Sequence, residues 1–135
     1  MSEFIWPVRV YYEDTDSGGV VYYANYLKFM ERARTELLRK YGIEQDRLIE
    51  DEGIIFAVRH VEADYLRPAR FNDALEVSAS ITTLSRVSVV FGQEVRLAGT
   101  NQVLCRGKVK VACLDTARFR PHPIPEKLKA AFAPE

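Results

Sequence analysis

Nowhere in the 135 residues do ~18 apolar residues run together, the length a helix needs to cross a bilayer, so the sequence offers no transmembrane segment. The start, MSEFIWPVRV, lacks a basic n-region and a long apolar h-region, and no secretory signal is expected. An excess of one charge is missing too. Nineteen Lys plus Arg balance 19 Asp plus Glu, which leaves no basic surface for nucleic acid but still allows a small anion held by a few local arginines. Cysteine is scarce: Cys105 and Cys113 are eight apart. On one strand they would share a face about 26 Å apart at ~3.3 Å per residue, too far for a disulfide. Buried free thiols in a cytosolic protein are expected, and the chain is read as cytoplasmic.

Histidine is nearly as rare. Neither His60 nor His122 has a second His or a Cys at ligand spacing, so no metal is expected; His60 reads as a partly buried, hydrogen-bonded strand residue. The G-x-S-x-G motif is absent and Ser17 has no base. Gly18-Gly19 precedes a helix but lacks the P-loop and G-x-G-x-x-G spacings. Repeats, low-complexity runs and linkers are absent as well, so residues 1–135 read as one domain. With 47% hydrophobic and 28% charged residues, its composition is that of a soluble globular protein.

What is present is a clear order of elements. Trp6 to Tyr12 alternates Val8, Val10 and Tyr12 as a short strand. From Ala24 to Tyr41, Leu27, Met30, Ala33, Leu37, Leu38 and Tyr41 recur at helical steps, and Gly42 stops the helix. Strands follow over 54–66, 75–84, 87–97 and 103–114, with Gly92 expected as a bulge or bend, and a short helix over 125–132. One long helix and four strands joined by tight connections indicate α+β with an antiparallel sheet. One helix covers one sheet face, and bare edges need protection, so self-association is expected.

The segment YYEDTDSGGVVYYANY holds the chemistry. Read as an EF-hand loop from Asp14, it puts Gly18 at position 5 and Asn25 at position 12, so calcium fails. Two readings remain: a plain turn with glycine supplying positive φ, or a working carboxylate. The apolar Val20-Val21-Tyr22-Tyr23 behind the turn and the helix start that follows favour the second, because unpaired helix N–H groups suit an anion. Acyl transfer needs a carboxylate to attack or to activate water, and donors where the carbonyl oxygen turns negative.

VYYEDTDSGGVVYYANYLKFMERARTELL strongly resembles the hotdog-fold acyl-CoA thioesterases of the 4-hydroxybenzoyl-CoA thioesterase type, in the branch linked to the Tol-Pal system of Gram-negative envelopes. WPVRVYYEDTD, ADYLRPARFNDALEV and KVKVACLD extend the likeness over nearly the whole chain. The resemblance implies a single hotdog domain, a five-stranded antiparallel sheet wrapped around one long helix. It implies dimers with a continuous sheet and active sites at their interface, joined as tetramers, and no cofactor. It makes Asp16 the catalytic carboxylate, as nucleophile or general base, and the Tyr23 backbone N–H the oxyanion donor. Some members carry histidine at the Tyr23 position; this chain does not. Tyr12 matches a tyrosine lining the site, and Val20, Val21 and Tyr22 would contact substrate.

An aspartate is ionised at neutral pH without help, and a helix N-terminus keeps it so. Asp14 reads as structural, capping the turn. Glu31 is the next carboxylate of interest, with an ion pair to Arg32 or Arg34 as the simpler reading. Arg86, by analogy, would meet coenzyme A phosphates, with Arg67 and Arg70 behind it; solvated charge is the simpler reading of all three. Tyr22, Tyr26, Phe29 and Phe56 suit an acyl tunnel or plain core. Acyl-CoA, or acyl carrier protein, is the expected partner. A catalytically weak hotdog module binding the same ligands is the alternative. A hotdog dehydratase ranks low, since neither histidine sits in a suitable motif.

Overall fold

The computed structural model describes residues 3–133. Eight elements follow in order: β1 (Phe4–Arg9), α1 (Asn25–Lys40), α2 (Gln45–Glu52), β2 (Ile54–Tyr65), β3 (Ala74–Leu84), β4 (Ser88–Leu97), β5 (Val103–Asp115) and α3 (Glu126–Phe132). The strands form one antiparallel sheet in the order β1-β3-β4-β5-β2.

Helix α1 lies in the curve of this sheet because its apolar stripe faces β1, β3 and β4. Phe29, Met30, Ala33 and Leu37 are almost wholly buried, in one core cluster with Leu75, Val77, Val95 and Val109. The helix ends where Gly42 takes φ +78°. There the Gly42 and Ile43 N–H groups bond back to the Arg39 and Leu38 carbonyls, a Schellman closure only a left-handed residue can make.

Several expectations need correction. Strand β1 ends at Arg9, not Tyr12. Asp14 Oδ2 accepts the Tyr11 N–H at 2.8 Å and draws Tyr12–Asp14 into a 3₁₀ turn; Val10 pairs instead with the loop at Asn72 and Asp73. The strands after α1 are not a simple run of hairpins. β2 sits at the far edge from β3, so residues 66–73 must cross the end of the sheet. The irregularity near Gly92 lies on the facing strand, where Thr82 is the extra residue between Ile81 and Thr83. Gly92 is small because a Cβ there would come within 3.0 Å of Thr82 Cγ2. Helix α2 escaped the periodicity because QDRLIEDE has only two apolar residues. His60 is exposed rather than partly buried, 3.5 Å from Glu62.

The β2 edge of the concave face stays open. On β2, a bulge at Arg59 shifts the phase so that Phe56, Val58, Val61, Ala63 and Tyr65 all pair with inward residues of β5. Yet Val58 is 52% and Tyr65 46% exposed, although the ring of Tyr26 at the start of α1 packs against Tyr65.

Candidate active site

The acidic segment folds as a tight hairpin. Asp16 N–H donates to the Val20 carbonyl at 2.9 Å, Tyr22 N–H to the Asp14 carbonyl at 2.9 Å, and Gly19 N–H closes the turn on Asp16. Gly19 has φ +80°, a conformation costly for a side-chain-bearing residue. Asp16 Oδ1 accepts the Gly18 N–H at 2.8 Å, so the carboxylate is held by an Asx turn. Its Oδ2 has no partner among the described residues. Gly18 permits this approach, since a Cβ there would lie 3.2 Å from Oδ1.

The hairpin is pinned from three sides. Asn25, buried at the start of α1, donates from its amide to the Asp14 carbonyl at 2.9 Å. Val20 bridges to Arg70, and the Val21 N–H donates to the Ala69 carbonyl at 2.8 Å. The Ala69 N–H in turn donates to the Tyr26 hydroxyl at 2.9 Å. Burial raises the Tyr26 phenol above its ordinary range, opposed by that hydrogen bond. The crossing loop thus clamps the second arm of the hairpin onto α1.

That arm runs straight into the helix. Among the described residues nothing accepts the Tyr23 backbone N–H, so a free donor stands at the helix start, where the dipole favours negative charge. Tyr23 packs edge-on to Tyr65 with ring centres 6.1 Å apart, and the two flank a cavity of about 230 Å³ with Val21, Tyr26 and Arg67.

Asp16, Val20, Val21, Tyr22 and Tyr23 therefore belong to one hairpin. Asp14 has the capping role expected of it. Tyr12 stacks on Phe71 with centroids 3.9 Å apart, in a separate groove beside Arg9 and Asn72. Arg86 lies in the β3–β4 turn, at the opposite end of β3 from the hairpin. Phe29 is core, and Phe56 is half-buried in a larger cleft further along α1. Glu31 does not pair with an arginine: its carboxylate accepts the Thr35 hydroxyl at 2.6 Å, one turn along the same helix face. Asn25, Ala69 and Tyr65 were not anticipated. Their roles depend on the crossing loop and on β2, which no local pattern reports. Among the described residues no group of three His, Cys, Asp or Glu side chains is gathered for a metal, and no helix is long and apolar enough to span a membrane.

Sheet, helix and hairpin together define a hotdog-fold α+β protein with a carboxylate turn leading into a helix N-terminus. The sequence profile of the Thioesterase superfamily matches residues 18–104, and the chain belongs to that family. It is 44% identical over 129 residues to the acyl-CoA thioester hydrolase YbgC of Escherichia coli O6:H1, covering 96% of this chain and 95% of that protein. Among solved structures, Slr0204, a 1,4-dihydroxy-2-naphthoyl-CoA thioesterase from Synechocystis, superimposes with a TM-score of 0.90 at 25% identity, over 97% of this chain and 96% of that one. A 4-hydroxybenzoyl-CoA thioesterase complexed with its thioester shares the fold at a TM-score of 0.89 and 18% identity, over 97% and 99%.

Proposed function

We propose that this protein hydrolyses acyl-CoA thioesters to free acid and coenzyme A, with Asp16 as the working carboxylate and the Tyr23 backbone N–H as the oxyanion donor. One observation carries the assignment: a single hairpin holds a half-satisfied carboxylate at its turn and delivers an unpaired N–H at its exit.

Asp16 Oδ2 attacks the thioester carbon, or takes a proton from a water that does. The carbonyl oxygen gathers charge toward the Tyr23 N–H, and the C–S bond breaks to release the coenzyme A thiolate, which is then protonated. In the first route water hydrolyses the resulting anhydride. In both the carboxylate must be ionised and fixed, and the Asx turn fixes it without using both oxygens. Val20, Val21 and Tyr22 wall the reacting end of the substrate.

The site is completed by a second copy. Strand β2 is an unpaired edge twelve residues long, with Val58, Val61, Tyr65 and Leu66 exposed beside it. Antiparallel β2–β2 pairing would continue the sheet across a two-fold axis and bring the partner's Arg86 end toward this copy's hairpin. Two dimers then associate as a tetramer. The likeness to the Tol-Pal branch supports a cytoplasmic enzyme serving the cell envelope, with acyl carrier protein as an alternative donor.

The test is thiol release from short, medium, long and aromatic acyl-CoAs by the native protein and Asp16→Asn. Asparagine keeps Oδ1 as acceptor for Gly18, so the turn survives while the charge is lost. A fall of about 10²-fold or more with unchanged oligomer size supports the mechanism. Equal rates would overturn it. Tight binding of acyl-CoA without turnover by the native protein would identify a binding module instead.

A further inference from the structure

An apolar cleft lies beyond the hairpin, between α1 and strands β4, β5 and β2. It measures about 440 Å³, and its apolar walls include Phe56, Val58, Phe91, Val111 and Phe132. One wall is polar, made by Glu31, Arg34, Thr35 and Gln45. Arg34 is the unusual member. Its Nη1 donates to Gln93 Oε1 at 2.9 Å, and Gln93 is 2% exposed. The Gln93 amide nitrogen donates to the Met30 and Ser78 carbonyls at 3.0 and 3.1 Å, so its oxygen must face Arg34. The guanidinium is thereby aimed. Four of its five N–H groups have no acceptor among the described residues, and burial lowers its pKa while nearby Glu31 raises it.

With the active site at the dimer interface, as the family resemblance implies, this cleft receives the acyl group bound at the partner copy's Asp16; we propose that Arg34 is a specificity residue within it, selecting acyl groups with a neutral oxygen at their far end. The inference rests on the function and β2 pairing proposed above. The hairpin abuts the Tyr65 end of β2, whereas Phe56 and Val58 of the cleft lie toward its start. Two-fold antiparallel pairing brings the Tyr65 end of one copy to the β2 start of the other. A thioester held at Tyr23 of one copy then directs its acyl chain into the partner's cleft. A plain hydrocarbon would strip water from the Arg34 N–H groups and replace it with nothing. A hydroxyl or ketone oxygen supplies the acceptor. A carboxylate would be drawn by Arg34 but repelled by Glu31 in the same wall.

The experiment compares acyl-CoAs of four, six and eight carbons, each plain, ω-hydroxylated and ω-carboxylated. The native enzyme should favour the hydroxylated over the plain substrate by about 10-fold in kcat/KM at one chain length. Arg34→Met should bring that ratio near one, by losing rate on the hydroxylated substrate and gaining on the plain one. Arg34→Lys should fall between. Val58→Phe, which narrows the cleft without touching Arg34, should shift the best chain length downward. An unchanged ratio in Arg34→Met refutes the proposal, as does preference for the carboxylated series. A change in oligomer size with the ratio intact makes Arg34 an interface contact and also refutes it. Asp16-dependent turnover without Arg34-dependent selection sinks this inference alone. If no acyl-CoA is hydrolysed, the function proposed above fails, and calorimetric affinities of Asp16→Asn for the same pairs decide the subsite: a matching Arg34-dependent ratio sustains it, and equal affinities overturn it.

Discussion

Replacing Tyr26 by phenylalanine tests the clamp that holds the hairpin. The Tyr26 hydroxyl accepts the Ala69 N–H at 2.9 Å, and the two residues are 3% and 0% exposed. Phenylalanine keeps the ring and its packing against Phe29 and Tyr65, so no cavity opens. What remains is a buried N–H without an acceptor, a loss of about 1–3 kcal/mol. For a chain of this size each kcal/mol lowers Tm by roughly 3–5 °C, giving a fall of roughly 3–15 °C. The same loop carries Ala69 and Arg70 to Val21 and Val20, so a loosened loop should also loosen Asp16, and kcat should drop by about 10-fold. Thermal unfolding and acyl-CoA turnover are measured at one protein concentration, because assembly makes Tm concentration-dependent. A stability loss under about 0.5 kcal/mol would refute the reasoning about the buried N–H. A full stability loss with native kcat would refute the mechanical link to Asp16.

Gly19→Ala meets no atom within 4 Å, so its cost is that of φ +80° alone, roughly 1–2 kcal/mol by chemical denaturation; Gly19→Asn should cost less. Gly18→Ala forces a methyl against Asp16 Oδ1 at 3.2 Å and should lower turnover more than Tm, a comparison that fails if the two fall in proportion. Burial pushes the Cys105 and Cys113 thiols up to about 11, so a thiol reagent at pH 8 should find neither in the native protein and both after denaturation. Burial raises Glu94, but hydrogen bonds from Arg96 and Arg106 outweigh it and hold its carboxyl below the usual range. A depressed folded pKa stabilises above the unfolded value and is lost as pH falls through the folded one. The stability difference between native and Glu94→Gln, at most about 1 kcal/mol at pH 7, should therefore shrink as the pH falls into acid; a difference that stays constant with falling pH contradicts the assignment.

The parts of this structure written in local sequence were the parts that could be read. Helix α1 was legible to within one residue at each end because its apolar stripe and Gly42 are both local features. Strand β2 even carries its bulge in the sequence: Phe56 and Val58 are two apart, Val58 and Val61 three, then Ala63 and Tyr65 two again. The Asp16 hairpin was legible as a turn because glycine and aspartate act within four residues. Its support was not, since the Tyr26 hydroxyl and the Ala69 N–H meet across 43 positions and only when β2 and β3 lie on different sides of the sheet. Arg34 was hidden for the same reason, because Gln93 fixes it from a strand 59 residues away. A functional carboxylate on a short turn is visible from sequence, whereas the surroundings that aim it and choose its substrate are set by topology. Substitutions at Tyr26, Ala69, Arg34 and Gln93 should therefore alter rate and selectivity while leaving Asp16 and the glycines of its turn in place.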